Sequence, residues 1–281
     1  MKKLKIPQDL ILYLAILYVV SGYAMYRVVE AGDFGVSGGI YAILGMWSPG
    51  LAALVVVLIY KIPIRSFGWG WGKSRYQIAS FLLPIGYVGV SYAIVWATGL
   101  GGITEGSVWD KISFVFTAAL PWNTMVYVMV LGEEIGWSGY LVPRLAGSIG
   151  VNGAAIARGT IWSTWHAPLI LGGVYGPENL PIWYQLITFT AMAFFLSFVF
   201  TWLRMASGSL WTGVLLHASH NKYTQGVFPR FTTETGFTEY AQGEFSFIML
   251  VLIIIIAFVL WKWGSSTNIT NETGSDIHPA L

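Results

Sequence analysis

Eight apolar segments, most of them long enough to cross a bilayer, constrain this chain more than any other feature. They run at about 10–29, 38–60, 78–98, 112–144, 154–172, 182–204, 209–221 and 245–263. A helix needs about 20 predominantly apolar residues to span the hydrocarbon core, so all but the seventh qualify by length, and that one does if it continues into residues 222–227. The reading is an all-α, polytopic membrane helix bundle of about eight transmembrane helices. Pro49, Pro84, Pro121 and Pro168 fall inside or at the edges of these segments, where membrane helices tolerate them if neighbours satisfy the freed carbonyls.

Composition agrees. Only 10% of the residues are charged and 56% are hydrophobic, against roughly 25% charged in a soluble domain. A net charge of +2 is too small to argue for a nucleic-acid partner. The absence of cysteine excludes disulfides, thiolate metal ligands and a cysteine nucleophile. Lys2, Lys3 and Lys5 precede the first apolar run, which exceeds the roughly 7–15 residues of a signal-peptide core and lacks a convincing cleavage site, so it reads as a retained helix.

Loop charges alternate. The amino terminus, Lys61, Arg65, Lys73 and Arg75, then Arg144 and Arg158, Arg204 and Lys262 are basic, whereas the intervening loops carry Glu30 and Asp33, Glu105 and Asp110, and Glu178. Arg27 and Lys111 blunt that contrast without reversing it, and the seventh loop is mixed, with Lys222 and Arg230 against Glu234, Glu239 and Glu244. By the positive-inside rule both termini are cytoplasmic. Residues 1–264 then form one transmembrane domain with a core at about 110–225, and the polar stretch 265–281 reads as a disordered cytoplasmic tail. The glycosylation patterns at Asn268 and Asn271 are coincidence under that topology.

Glu133 and Glu134 stand out because they follow the apolar run 125–131. An ionisable group at bilayer depth is expensive and by default marks a functional site. His166 lies eight residues past Arg158 and His217 eight past Ser209, each about 12 Å inside the cytoplasmic end of its helix; Glu133 lies on the order of 16 Å before Arg144. All reach one layer on the cytoplasmic side of the midplane. Adjacent helical residues diverge by about 100°, so Glu133 and Glu134 face different neighbours. Trp162 shares a face with His166, as does His217 with Asn221. A carboxylate and a histidine can hold and deprotonate a water while a second histidine and an amide donate to a developing oxyanion. That equipment suits hydrolysis of an amide.

With those residues in view, the chain resembles the CPBP intramembrane proteases, which include the Rce1-type CAAX prenyl endopeptidases and the bacterial Abi proteins. Glu133-Glu134 resembles the EExxxR motif, Trp162 to His166 the FxxxH motif, and His217 to Asn221 the HxxxN motif. The resemblance implies Glu133 as the water-activating carboxylate assisted by His166, His217 and Asn221 as the oxyanion site, and Glu134 as a supporting carboxylate. It implies a membrane-embedded peptide or protein substrate, prenylated or leader-like. It leaves zinc open, since both metal-dependent and metal-free glutamate mechanisms are held for the family.

Two positions depart from the pattern. Trp162 replaces Phe and keeps an aromatic; Ser138 replaces the motif Arg and removes a charge. Glu134 must then be neutral or pair with Arg158 or Arg144, and Ser138→Arg should be tolerated. The competing readings are a proton- or ion-coupled transporter, which intramembrane Glu and His also build, and a non-catalytic membrane scaffold with a degenerate site. His220 reads as evenly balanced between site and structure, and His278 as a solvated bystander. The topology makes a direct prediction: a reporter fused after Trp263 will report cytoplasmic, and a periplasmic or extracellular signal would remove the depth argument.

Overall fold

The computed structural model describes residues 7–35, 37–116 and 120–266. The chain folds into helices α1 (Gln8–Ala31), α2 (Gly39–Ile59), α3 (Ser74–Thr98), α4 (Val108–Phe116), α5 (Leu120–Glu134), α6 (Val142–Leu171), α7 (Ile182–Ser207), α8 (Trp211–Asn221), the short α9 (Thr238–Ala241) and α10 (Phe247–Ser266). Two three-residue strands, β1 (Gly101–Ile103) and β2 (Thr232–Glu234), pair antiparallel between the loops that follow α3 and α8. The tail assigned to 265–281 lies, beyond Ser266, outside the described residues.

Among the described residues, α1, α2, α3 and α7 are long and apolar enough to cross a membrane, and 247–262 of α10 adds a shorter apolar helix. The sequence segments at 112–144, 154–172 and 209–221 take less regular forms. The first becomes α5, a π-helical stretch Ile135–Leu141 and the start of α6. Gly150, at φ 76° and ψ 167°, breaks α6 between the fourth and fifth segments of the sequence reading. The last segment is extended by a second π-helical stretch, Lys222–Val227, which is the continuation the apolar pattern needed. Large apolar side chains such as Ile11, Val19, Ile40, Leu58, Ile187, Val251 and Ile255 face outward. With no water-side partner they form the surface an integral membrane protein presents to lipid.

α6 packs along α7, α1 along α2, and α3 along α8, with α5 and the first π-helical stretch held against α2. That last contact positions the glutamates. A Cβ added to Gly136 would come within 2.4 Å of the Pro49 backbone, and one added to Gly132 within 2.6 Å of the Trp47 ring. Glu133 and Glu134 therefore sit between two glycines that let α2 lie directly on their backbone. Two basic residues read from sequence as loop charges are buried instead: Arg158 is fully enclosed on α6 and Arg204 is 5% exposed on α7. The charge alternation keeps Lys61, Arg65, Lys73 and Arg75 but loses those two contributors.

Forcing side-chain volume into a packed contact typically costs about 1–3 kcal/mol. Gly136→Ala should lower the melting temperature in detergent, whereas Gly22→Ala, with nothing within 4 Å of the added Cβ, should leave it unchanged or raise it. Equal melting temperatures for the two variants would contradict the close contact between α2 and the glutamate segment.

Candidate active site

The two glutamates part as helical geometry requires. Glu134 is wholly buried, and Glu133, 3% exposed, accepts a long 3.4 Å hydrogen bond from Trp137 Nε1 to one oxygen, Oε2. Each interaction is of the i, i+4 kind, since Ser138 Oγ donates to Glu134 Oε2 just as Trp137 reaches Glu133.

Glu134 Oε1 gathers the rest of the site. Arg158 NH2 from α6 donates to it at 3.1 Å and His217 Nδ1 from α8 at 3.0 Å. Arg158 also lies over the Phe200 ring at 3.9 Å and reaches Ser197 Oγ at 3.4 Å. Side chains from three helices and the π-helical stretch thus enclose one ion pair. Of the two partners the sequence offered for Glu134, Arg158 is the one used. Arg144 instead pairs with Asp9, which also accepts from Tyr140 at 2.9 Å.

This arrangement reverses the expectation for Ser138. The guanidinium that the motif would place at 138 arrives from α6, and Ser138 makes room for it. A Cβ on Gly213 would lie 2.3 Å from Ser138 Oγ and 2.5 Å from Glu134 Oε2, so α8 closes the remaining space. An arginine at 138 has no volume to enter while Arg158 is present.

The histidines are held by different partners. His166 Nδ1 lies 3.0 Å from the Trp162 carbonyl; a carbonyl only accepts, so Nδ1 carries the proton and Nε2 keeps the lone pair in the neutral ring. His217 Nδ1 donates to a carboxylate, which leaves its Nε2 a base when neutral and a donor when the ring is protonated. Trp162 stands between them, edge to face with His166 at 5.8 Å and with His217 at 5.6 Å. His166 is walled by Trp165 at 4.6 Å and Phe189 at 4.7 Å.

Asn221 closes α8 one helical turn beyond His217 and is half-buried. His220, evenly balanced in the sequence reading, turns to a separate set of partners: its Nδ1 lies 2.7 Å from Tyr87 Oη and its Nε2 3.4 Å from Glu244. Sequence reasoning missed Arg204, whose Nε donates to the Ser138 carbonyl at 2.6 Å and whose NH2 reaches the Phe67 carbonyl at 3.3 Å. Its place at the end of an apolar run disguises it as a loop charge. Glu244 was missed too, being one acid among several in a loop of mixed charge. Among the described residues no three His, Asp or Glu side chains come together as a group that could hold a metal ion.

Removing one partner of a buried ion pair typically costs about 3–5 kcal/mol. Arg158→Ser should therefore lose most folded protein, and Ser138→Arg should do the same by overpacking. Together, Ser138→Arg and Arg158→Ser should recover folded protein, measured as monodisperse yield in detergent, because the charge returns to the motif position. A single Ser138→Arg variant as well folded as the pair would overturn the relocation of the charge.

Comparison with a family model bears on the same segment. Residues 115–223 match the model of a family described as Type II CAAX prenyl endopeptidase Rce1-like; that range contains Glu133, Glu134, Arg158, His166, His217 and Asn221. A protein of Methanococcus maripaludis named CAAX prenyl protease 2 is 31% identical over 100 residues, covering 32% of this chain and 36% of that protein. The alignment thus spans about a third of the relative's length. The resemblance read from the three motifs is shown for the central segment of this membrane protein.

Proposed function

We propose that this chain is an intramembrane endopeptidase that hydrolyses a peptide bond of a membrane-associated polypeptide, of the prenylated CAAX or leader type. The observation that carries the reading is the joint hold of Glu134 on Arg158 and His217. It ties the helix bearing the HxxxN-like motif to the glutamate pair, while Glu133 is engaged only by the long 3.4 Å bond from Trp137 among the described residues.

In the proposed reaction Glu133 takes a proton from water as the water oxygen attacks the peptide carbonyl carbon. The new oxyanion is met by Nε2–H of a protonated His217, whose opposite nitrogen donates to Glu134, and by the Asn221 amide. His166 assists the transfer through Nε2, and the proton taken from water passes to the departing amine as the C–N bond breaks. Orienting an imidazole by a carboxylate on its other nitrogen is a general device for fixing which nitrogen reacts. The substrate enters from the cytoplasmic side, where loop charge puts the termini.

The scaffold reading drew its force from the missing motif arginine. The bond from Arg158 to Glu134 supplies a charge partner in its place and so speaks for a working site.

Cleavage of a farnesylated reporter peptide ending in a CAAX sequence, by full-length protein in detergent, tests the assignment. Glu133→Gln should abolish turnover without lowering the melting temperature. Asn221→Ala should lower kcat by about 100- to 1000-fold, the usual cost of one oxyanion donor, with KM within a few-fold. Wild-type turnover by folded Asn221→Ala would remove the oxyanion assignment. Proton or ion flux in proteoliposomes, blocked by Glu133→Gln and unaccompanied by cleavage of any membrane peptide, would favour the transporter.

A further inference from the structure

Glu244 lies in the turn just before α10 and is 7% exposed. A buried carboxylate is costly unless donors surround it, and here two hydrogen-bond donors reach it with a histidine ring close by. The Tyr175 hydroxyl donates to Oε2, Gln225 Nε2 donates to Oε1 at 3.0 Å, and His220 Nε2 lies 3.4 Å from the same oxygen. His220 is in turn anchored on Tyr87 at 2.7 Å.

Each of these residues belongs to a segment that leaves the site. Tyr175 follows His166 by nine residues, in the connection from α6 to α7, while His220 and Gln225 flank Asn221. The Tyr175 ring is 5.5 Å from the His166 ring and 5.6 Å from Phe189, which itself lies against His166. The Trp162 carbonyl fixes one nitrogen of His166, and Trp165 and Phe189 wall the ring. Tyr175 adds a further wall, and the hydroxyl bond to Glu244 holds it in place.

We propose that Glu244 is a positioning residue of the site, holding His166 in orientation through Tyr175 and holding the segment that carries Asn221 through His220 and Gln225. This rests on the endopeptidase reading of the same site, but its geometric claim concerns the His166 ring and has a readout of its own.

The test uses full-length protein in detergent with nitrogen-15-labelled histidine. In wild type His166 should give one sharp ring resonance. Glu244→Ala should broaden or double it while the His217 resonance, held by Glu134, stays unchanged. Tyr175→Phe, which removes only the hydroxyl and should fold even if Glu244→Ala does not, should reproduce the effect. Adding it to Glu244→Ala should change nothing further, since the path runs through one bond. In the reporter-peptide assay both variants should lose about 10- to 100-fold in kcat with KM within a few-fold, the scale of a small misplacement of a reacting group. An unchanged His166 resonance in folded Tyr175→Phe would overturn the proposal. A shifted resonance in a protein whose wild type cleaves no membrane peptide would leave the positioning intact and remove the endopeptidase reading.

Discussion

The site depends on one fully buried ion pair. Glu134 and Arg158 meet at 3.1 Å with neither side chain exposed, in a region where an uncompensated charge would be expelled or neutralised. Attraction between them is not enough to hold such a pair; its remaining donors and acceptors must also be met. Ser138 and His217 complete the carboxylate, while Ser197 and the Phe200 and Trp162 rings lie against the guanidinium, whose Nε alone is left without a hydrogen-bond partner among the described residues. Because these groups come from α6, α7, α8 and the π-helical stretch after α5, satisfying the pair is the same event as docking the helices that carry the motifs. Stability and site geometry are set by one interaction.

Irregular backbone follows each motif that bears a carboxylate or amide. A π-helical stretch begins directly after Glu134 and another directly after Asn221. Such stretches are rare and concentrate at functional sites, where they redirect side chains at a cost in backbone hydrogen bonding. In the first, Arg204 meets that cost by donating to the Ser138 carbonyl. The same arginine bonds the Phe67 carbonyl, so the loop between α2 and α3 is tied to the glutamate segment as well. Two buried arginines thus support the glutamates, one through a side chain and one through the backbone.

Much of this was legible in the sequence, for identifiable reasons. Apolar run length announces membrane helices, and an ionisable pair inside such a run announces a site; helical spacing then separates Glu133 from Glu134 and pairs the latter with Ser138. Asking what could replace a missing charge leaves Glu134 neutral or paired with Arg158 or Arg144, and the structure has Arg158. The failures share a cause. Arg158, Arg204 and Glu244 read as loop charges because each lies near the end of an apolar run, and hydropathy cannot distinguish a charge that ends a helix from one folded back into the bundle. The packing around Ser138 speaks against the tolerance expected of Ser138→Arg, because the sequence shows a vacancy in a motif but not whether the volume is filled from another helix. Tyr175, one aromatic among many, carries no signal of its bond to Glu244.

The central claim is that the joined glutamates and histidines cleave membrane-associated polypeptides. Mass spectrometry of membrane peptides from cells holding the wild-type protein or Glu133→Ala, at matched levels of inserted protein, tests it whatever the substrate is. The account predicts fragments with a defined new carboxyl terminus in wild-type membranes and the intact parent chain in their place with Glu133→Ala. Identical peptide populations in the two membranes would contradict it.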